Sequence, residues 1–119
     1  GLSEHSIFNQ IKTAKRCLHE IPFSWDSPMG KVHGVIDLIY QDHQDHWHLL
    51  DWKTDYVTDE NFAELHEKYS IQISIYFHAA SDILKIIPQP RLVFLNPKTQ
   101  VVLVDPIDEH RLGQEQMKT

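Results

Sequence analysis

The sequence predicts an α/β (α+β) sandwich in the order helix, three strands, helix, two strands. Two stretches place apolar residues at helical spacing, near the N-terminus and again past residue 60. Between and after them run short segments rich in β-branched and aromatic residues, bounded by polar turns and by Pro22, Pro28, Pro88 and Pro90.

The first helix is expected over residues 4–19, where Ile7, Ile11, Ala14 and Leu18 form one stripe and Lys12, Lys15 and Arg16 lie toward the end that favours cations. Glu20 to Trp25 reads as extended because Pro22 forbids a continuing helix. Asp26 to Gly30 is turn chemistry. Lys31 to Tyr40 is a strand with apolar residues on both parities, so both of its faces should be covered. A polar hairpin loop from Gln41 to Asp45 leads into a strand from His46 to Lys53. The longest helix is expected over residues 60–86, with Leu65, Tyr69, Gln72, Tyr76, Ala79 and Ile83 on one face. Arg91 to Leu95 and Gln100 to Val104 make a second hairpin about the turn Asn96 to Thr99, and residues 106–119 read as a frayed tail.

The 119 residues fit a single domain, with 41% hydrophobic and 24% charged residues, enough for a core without staples. The start at Gly1, without Met, suggests an excised domain. The one cysteine, Cys17, rules out a disulfide framework and a four-cysteine iron–sulfur or zinc site, and suits a reducing compartment. It reads as a small core residue of the first helix. No apolar run is long enough to span a membrane, and no glycine-rich phosphate loop marks a nucleotide site. A net charge of −6 argues against holding nucleic acid by electrostatics alone. It is compatible with clustered carboxylates that a dication would neutralise.

Asp37 lies between Ile36 and Leu38 in an apolar strand, where a carboxylate must be paired, hydrogen-bonded or bound to a cation. Fourteen residues further on, Asp51 and Lys53 point to one face of the next strand, and a hairpin can bring Asp37 beside Asp51. Two adjoining carboxylates repel, and a divalent cation resolves the repulsion; oxygen donors suit Mg²⁺ or Mn²⁺. A lysine beside such a centre can orient or deprotonate water, or neutralise a phosphorane-like transition state. A buried Asp–Lys ion pair without a metal explains the same spacing. Elsewhere, Asp42 to His48 reads as a solvated turn, with His46 and His48 sharing a strand face that could take Zn²⁺ or Ni²⁺ adventitiously. His33 lies on the parity of Asp37.

Three blocks then occur in order: Gly34-Val35-Ile36-Asp37-Leu38, Leu50-Asp51-Trp52-Lys53-Thr54-Asp55, and Tyr69-Ser70-Ile71-Gln72 with Tyr76. Together they resemble the PD-(D/E)XK nuclease superfamily, and more narrowly the RecB-like nuclease domain at the C-terminal end of AddA/RecB-type helicase–nucleases. Glu20-Ile21-Pro22-Phe23 resembles the E-x-P-F segment preceding that family's second strand. The resemblance implies a restriction-endonuclease-like core, a mixed central sheet flanked by helices. It implies Asp37 and Asp51 as ligands of Mg²⁺ or Mn²⁺, Lys53 as the catalytic lysine, and Gln72 and Tyr76 as helix residues that support the site or touch DNA. Such proteins often add an upstream His ligand. His5 and His19 lie too near the first strand for that role, so Glu20 is the alternative metal ligand. Asp55 would cap or pair with Lys53. The implied activity is exonucleolytic processing of DNA ends for recombination, in the bacterial cytoplasm near the nucleoid. The DNA would arrive as a single strand from a helicase domain of the same parent chain, and the possible partner is a second helicase–nuclease subunit. A catalytically silent nuclease fold used for docking, and a phosphodiesterase acting on RNA or a small molecule, are the alternatives.

Overall fold

A computed structural model describes residues 2–96 and 101–107. The elements are α1 (Leu2–Lys12), β1 (Arg16–Ser27), β2 (Gly30–Gln41), β3 (Trp47–Lys53), α2 (Phe62–Leu84), β4 (Gln89–Asn96) and β5 (Val101–Pro106). The five strands form one sheet in sequence order. All neighbours are antiparallel except β3 and β4, which run parallel because α2 carries the chain back across the sheet. The predicted order of elements and the mixed sheet between helices are both present.

The first helix is shorter than its spacing suggests. It ends at Lys12, and residues 16–19 belong to β1. Ala14 still packs against the core under α1, but Leu18 continues the stripe only by coincidence, since the backbone from Arg16 to His19 pairs with Gln41 to Leu38. Cys17 is therefore a strand residue, and it packs against the core that lies between α1 and the sheet. At the other end β5 runs to Pro106, and Ile107 is buried with its N–H donated to the Pro90 carbonyl at 3.0 Å, so order extends past residue 105. The predicted turn at 96–99 falls largely, and the tail from 108 wholly, outside the described residues.

Two apolar layers cover the sheet. On one side α1 sets Ile7 against Leu38, Tyr40, Leu50 and Val93. On the other α2 sets Ile73, Phe77 and Ala80 against Ile36, Ile39, Leu49, Leu92 and Phe94. Strand alternation alone would give Ile36, Leu38 and Tyr40 one face, yet Ile36 lies under α2 and the other two under α1. β1 does the same, with Cys17 toward α1 and Ile21 and Phe23 toward α2. Both strands thus change face at one level of the hairpin. The pairs on either side are His19↔Leu38 and Ile21↔Ile36, which puts the switch at Glu20 opposite Asp37, where no pair forms. Glu20 has φ 49°, a left-handed conformation that a non-glycine residue adopts at a cost. The apolar residues on both parities of β2 thus record a change of face as well as two covered faces.

A polar network locks the opposite end of β3 and β4. Arg91 Nη2 donates to the Tyr40 hydroxyl at 2.6 Å and to His48 Nδ1 at 2.8 Å. Since Arg can only donate, His48 Nδ1 accepts, and Nε2 carries the proton to Asp42 Oδ2 at 2.8 Å. Burial, reinforced by the Arg91 charge, lowers the His48 pKa and keeps the ring neutral. Asp42 also accepts from the backbone N–H of Gln44 and His46. The loop is a built turn, and His48 is committed to it while His46 is exposed before the strand starts, so the two do not form a shared metal face.

The long helix is pinned at both ends. Trp25 Nε1 donates to Asp82 at 3.0 Å near its C-terminus, and His66 Nδ1 meets the buried Asp105 at 2.6 Å near its start. The middle of α2, from Tyr69 to Tyr76, is thereby held over the C-terminal end of β3.

Candidate active site

The site begins where the β2–β3 ladder splits. Pairing runs from Gln41↔Trp47 to Leu38↔Leu50 and stops, so Asp37 and Asp51 would have been the next pair. β3 continues alone against β4, with Asp51 opposite Leu92 and Lys53 opposite Phe94. The split would leave the Trp52 N–H without its ladder partner, and the Asp37 side chain supplies one: Oδ2 accepts that N–H at 2.8 Å. Asp37 is thus held by the backbone of the strand that carries Asp51.

Asp51 is 3% exposed. Its Oδ2 is buried without a hydrogen-bond partner. Lys53 Nζ stands 3.2 Å away as an ion-pair partner. Burial, then a hydrogen bond with the Asp37 carboxyl, pushes the Asp51 pKa up to about 7, with the Lys53 charge opposing in part. An orphaned carboxylate oxygen next to a second carboxylate is what a hard divalent cation would satisfy, and an all-oxygen pair suits Mg²⁺ or Mn²⁺. The residues present fit such an ion.

Lys53 donates to Gln72 Oε1 at 2.6 Å, and Gln72 Nε2 donates to the Tyr76 hydroxyl at 3.2 Å. Lys cannot accept, so only one orientation of the amide serves both bonds. Gln72 and Tyr76 sit one turn apart on α2. Burial, and then the Asp51 and Asp37 charges, raise the Tyr76 pKa, so it remains a phenol. Its ring meets Phe23 edge-on at 5.7 Å.

Gly34 has a steric reason. A Cβ there would lie 2.8 Å from the Phe23 ring and 3.3 Å from Tyr76 Cε1. Gly34→Ala is expected to cost about 1–3 kcal/mol by overpacking. It should also weaken the Tyr76 contact; a urea titration of the two chains checks the first effect.

Five of the six expected residues, Asp37, Asp51, Lys53, Gln72 and Tyr76, are brought together. Glu20 lies level with Asp37, between the pairs His19↔Leu38 and Ile21↔Ile36, but is exposed. Among the described residues no three His, Cys, Asp or Glu side chains converge, so Glu20 is not gathered with Asp37 and Asp51. His19 and His33 are exposed on their strands, and the side chain of His5 is not among those described. Asp55 does not pair with Lys53. It accepts the Tyr69 hydroxyl proton at 2.8 Å, a bond that raises the Tyr69 pKa. The Tyr69 ring lies 4.2 Å from Lys53 Nζ. Tyr69 heads the third sequence block, and its position three residues before Gln72 sets both over one spot; its contact with Lys53 is evident only in the structure.

Two carboxylates at a split ladder, a lysine two residues past the second, and a glutamine and tyrosine on the crossover helix define a class of protein. A profile of the PD-(D/E)XK nuclease superfamily matches residues 4–117, and the chain belongs to that superfamily. Within it, the chain is similar to an ATP-dependent helicase/nuclease polypeptide of Lysinibacillus sphaericus (strain C3-41), 30% identical over an alignment of 108 residues that covers 81% of this chain and 9% of that protein. It is 32% identical over 74 residues to the ATP-dependent helicase/nuclease polypeptide of Thermoanaerobacter sp. (strain X514), covering 61% of this chain and 6% of that one. For its counterpart in Heliobacterium modesticaldum the identity is 26% over 110 residues, 77% of this chain and 8% of that one. The chain thus spans less than a tenth of the length of these relatives. The crystal structure of SSO0001 shares the fold at TM-score 0.52 and 18% identity, over 98% of this chain and 57% of that one. Among the described residues no helix is long and apolar enough to cross a membrane.

Proposed function

We propose that this chain is a metal-dependent deoxyribonuclease domain that hydrolyses phosphodiester bonds in single-stranded DNA. The observation that carries the reading is the orphaned Oδ2 of Asp51, buried beside Asp37 and 3.2 Å from Lys53. Asp37 and Asp51 hold Mg²⁺ or Mn²⁺. When bound, that ion polarises the phosphate and lowers the pKa of water. Asp37 is fixed for this by the Trp52 N–H.

Lys53 brings a charged donor to the reacting phosphate. Its three N–H bonds exceed the single acceptor that Gln72 offers, so it can also hold the attacking water or a developing phosphorane oxygen. Gln72 sets the direction of the ammonium. Tyr76 accepts from Gln72 and keeps its own proton to donate toward DNA.

The relatives' printed activity, a helicase joined to a nuclease, supports a wider reading. The domain serves a parent polypeptide whose motor feeds it one strand, and it trims DNA ends exonucleolytically for recombinational repair in the bacterial cytoplasm, beside a second helicase–nuclease polypeptide. The net charge of −6 agrees with that division of labour, since the motor would hold most of the DNA backbone. End-labelled single-stranded DNA with Mg²⁺ or Mn²⁺ tests the reading: the chain is expected to release short products, and excess chelator to stop it. DNA left intact at saturating bound Mn²⁺ would reduce the domain to a docking module.

A further inference from the structure

Lys53 is held on three sides: by Asp51, by Gln72 and by the ring of Tyr69, whose centroid is 4.2 Å from Nζ. The ring is itself fixed. Its hydroxyl donates to Asp55 Oδ1 at 2.8 Å, and its body packs against Phe94, centroids 6.2 Å apart. Asp55 lies two residues past Lys53, and Tyr69 belongs to the helix that also carries Gln72. The lysine, the acid and the two helix residues therefore close a ring of contacts between the end of β3 and α2.

We propose that Tyr69 is a positioning residue for Lys53, its ring face bearing the ammonium while Asp55 holds the phenol in place. The inference rests on the role given to Lys53 above. Its force comes from what happens when a cation joins the site. A dication held by Asp37 and Asp51 would draw the Asp51 carboxylate away from Lys53, so the ion pair alone would not fix the lysine in the loaded site. What remains is one neutral acceptor on Gln72, at the end of a flexible four-carbon stem. An aromatic face attracts the ammonium and closes one side to alternative rotamers. It takes up none of the N–H bonds that water or phosphate needs. Phe94 and Asp55 keep that face from turning away. Lys68, 5.0 Å from the same centroid, is exposed and serves as a control.

The first test needs no turnover. A methylene next to an ammonium lying over an aromatic face is shifted upfield by the ring current. The Lys53 ε-methylene protons are expected upfield of those of an unstructured lysine, with and without Mg²⁺. The shift should persist in Tyr69→Phe and Lys68→Ala and be lost in Tyr69→Leu. In cleavage assays Tyr69→Leu is expected to lower kcat on the order of tenfold to hundredfold, the scale of a misplaced catalytic group. Its KM and Mn²⁺ affinity should stay within about twofold, since ground-state binding is untouched. Tyr69→Phe keeps the ring without its tether and should recover most of the loss. Lys53 protons at ordinary lysine positions in the wild type overturn the proposal. So does a Tyr69→Leu chain with wild-type kcat, or one whose melting temperature and Mn²⁺ affinity fall together with kcat, which would make the ring merely structural. A Lys53→Ala chain as active as wild type sinks the role of Lys53 itself. An inactive Lys53→Ala beside a fully active Tyr69→Leu sinks only the inference about Tyr69.

Discussion

Lys53→Ala is expected to lower kcat on single-stranded DNA by about 10²–10⁴-fold, the range for removing a positioned proton donor or acceptor. The substitution removes the cation that the structure places against Asp51 and Gln72. It leaves Asp37 and its bond to the Trp52 N–H untouched. Mn²⁺ affinity should therefore hold or rise, because a positive charge 3.2 Å from a ligand oxygen is gone. A fall in kcat together with unweakened Mn²⁺ binding, read by calorimetry, separates loss of chemistry from loss of the metal site. Lys53→Arg is not a conservative rescue here. The planar guanidinium is longer and wants two acceptors, and Gln72 offers one.

Asp51→Asn is expected to abolish cleavage and yet stabilise the metal-free chain above neutral pH. The sign follows from the direction of the shift. The Asp51 carboxyl titrates near 7 in the folded chain against 3.8 for an unperturbed aspartate. A group whose pKa is raised on folding contributes its full share of stability below the unfolded value. That share is lost as pH rises through the folded value, because the unfolded chain releases the proton more readily. Metal-free wild type should thus lose stability between about pH 4 and 7, whereas an amide cannot ionise and escapes the loss. At pH 8 without metal the variant is expected to melt higher, by on the order of 5 °C for a domain of this size. Saturating Mn²⁺ should reverse the ranking, since only the wild type gains from the ion. Thermal melts at pH 5 and pH 8, with chelator and with Mn²⁺, read all four cases. A site residue that weakens the empty fold marks a place where function is set against stability.

The parts of the fold legible in the sequence are those where local pattern and local structure coincide. β2, β3 and α2 fall within a residue or two of expectation, because a turn, a polar loop or a proline bounds each of them. The boundary between α1 and β1 is not legible. Ala14 and Leu18 extend a helical spacing across a turn, and only the distant pairing of residues 16–19 with β2 decides the matter. The same holds for the change of face at Glu20 and Asp37: it puts apolar residues on both parities of β2, a pattern that two covered faces produce as well. At the site, Asp37, Asp51 and Lys53 can be found because a charge inside an apolar strand demands a partner. Gln72 and Tyr76 follow from helical spacing joined to a family likeness. For Asp55, sequence proximity favours Lys53 as the partner, and this is wrong because the Tyr69 hydroxyl reaches it from α2. Gly34 is a case where the motif residue is evident but its reason, the approach of Phe23 and Tyr76, lies in tertiary contacts.

Whether Asp37 and Asp51 together form a cation site can be read from anomalous diffraction by crystals of this chain soaked in Mn²⁺. One strong peak is expected between the two carboxylates, within oxygen-ligand distance of Asp51 Oδ2, and none there in Asp51→Asn. Crystals fully exchanged into Mn²⁺ with no peak at that position, and with Lys53 still paired to Asp51, would contradict the cation site and leave the buried pair a structural ion pair.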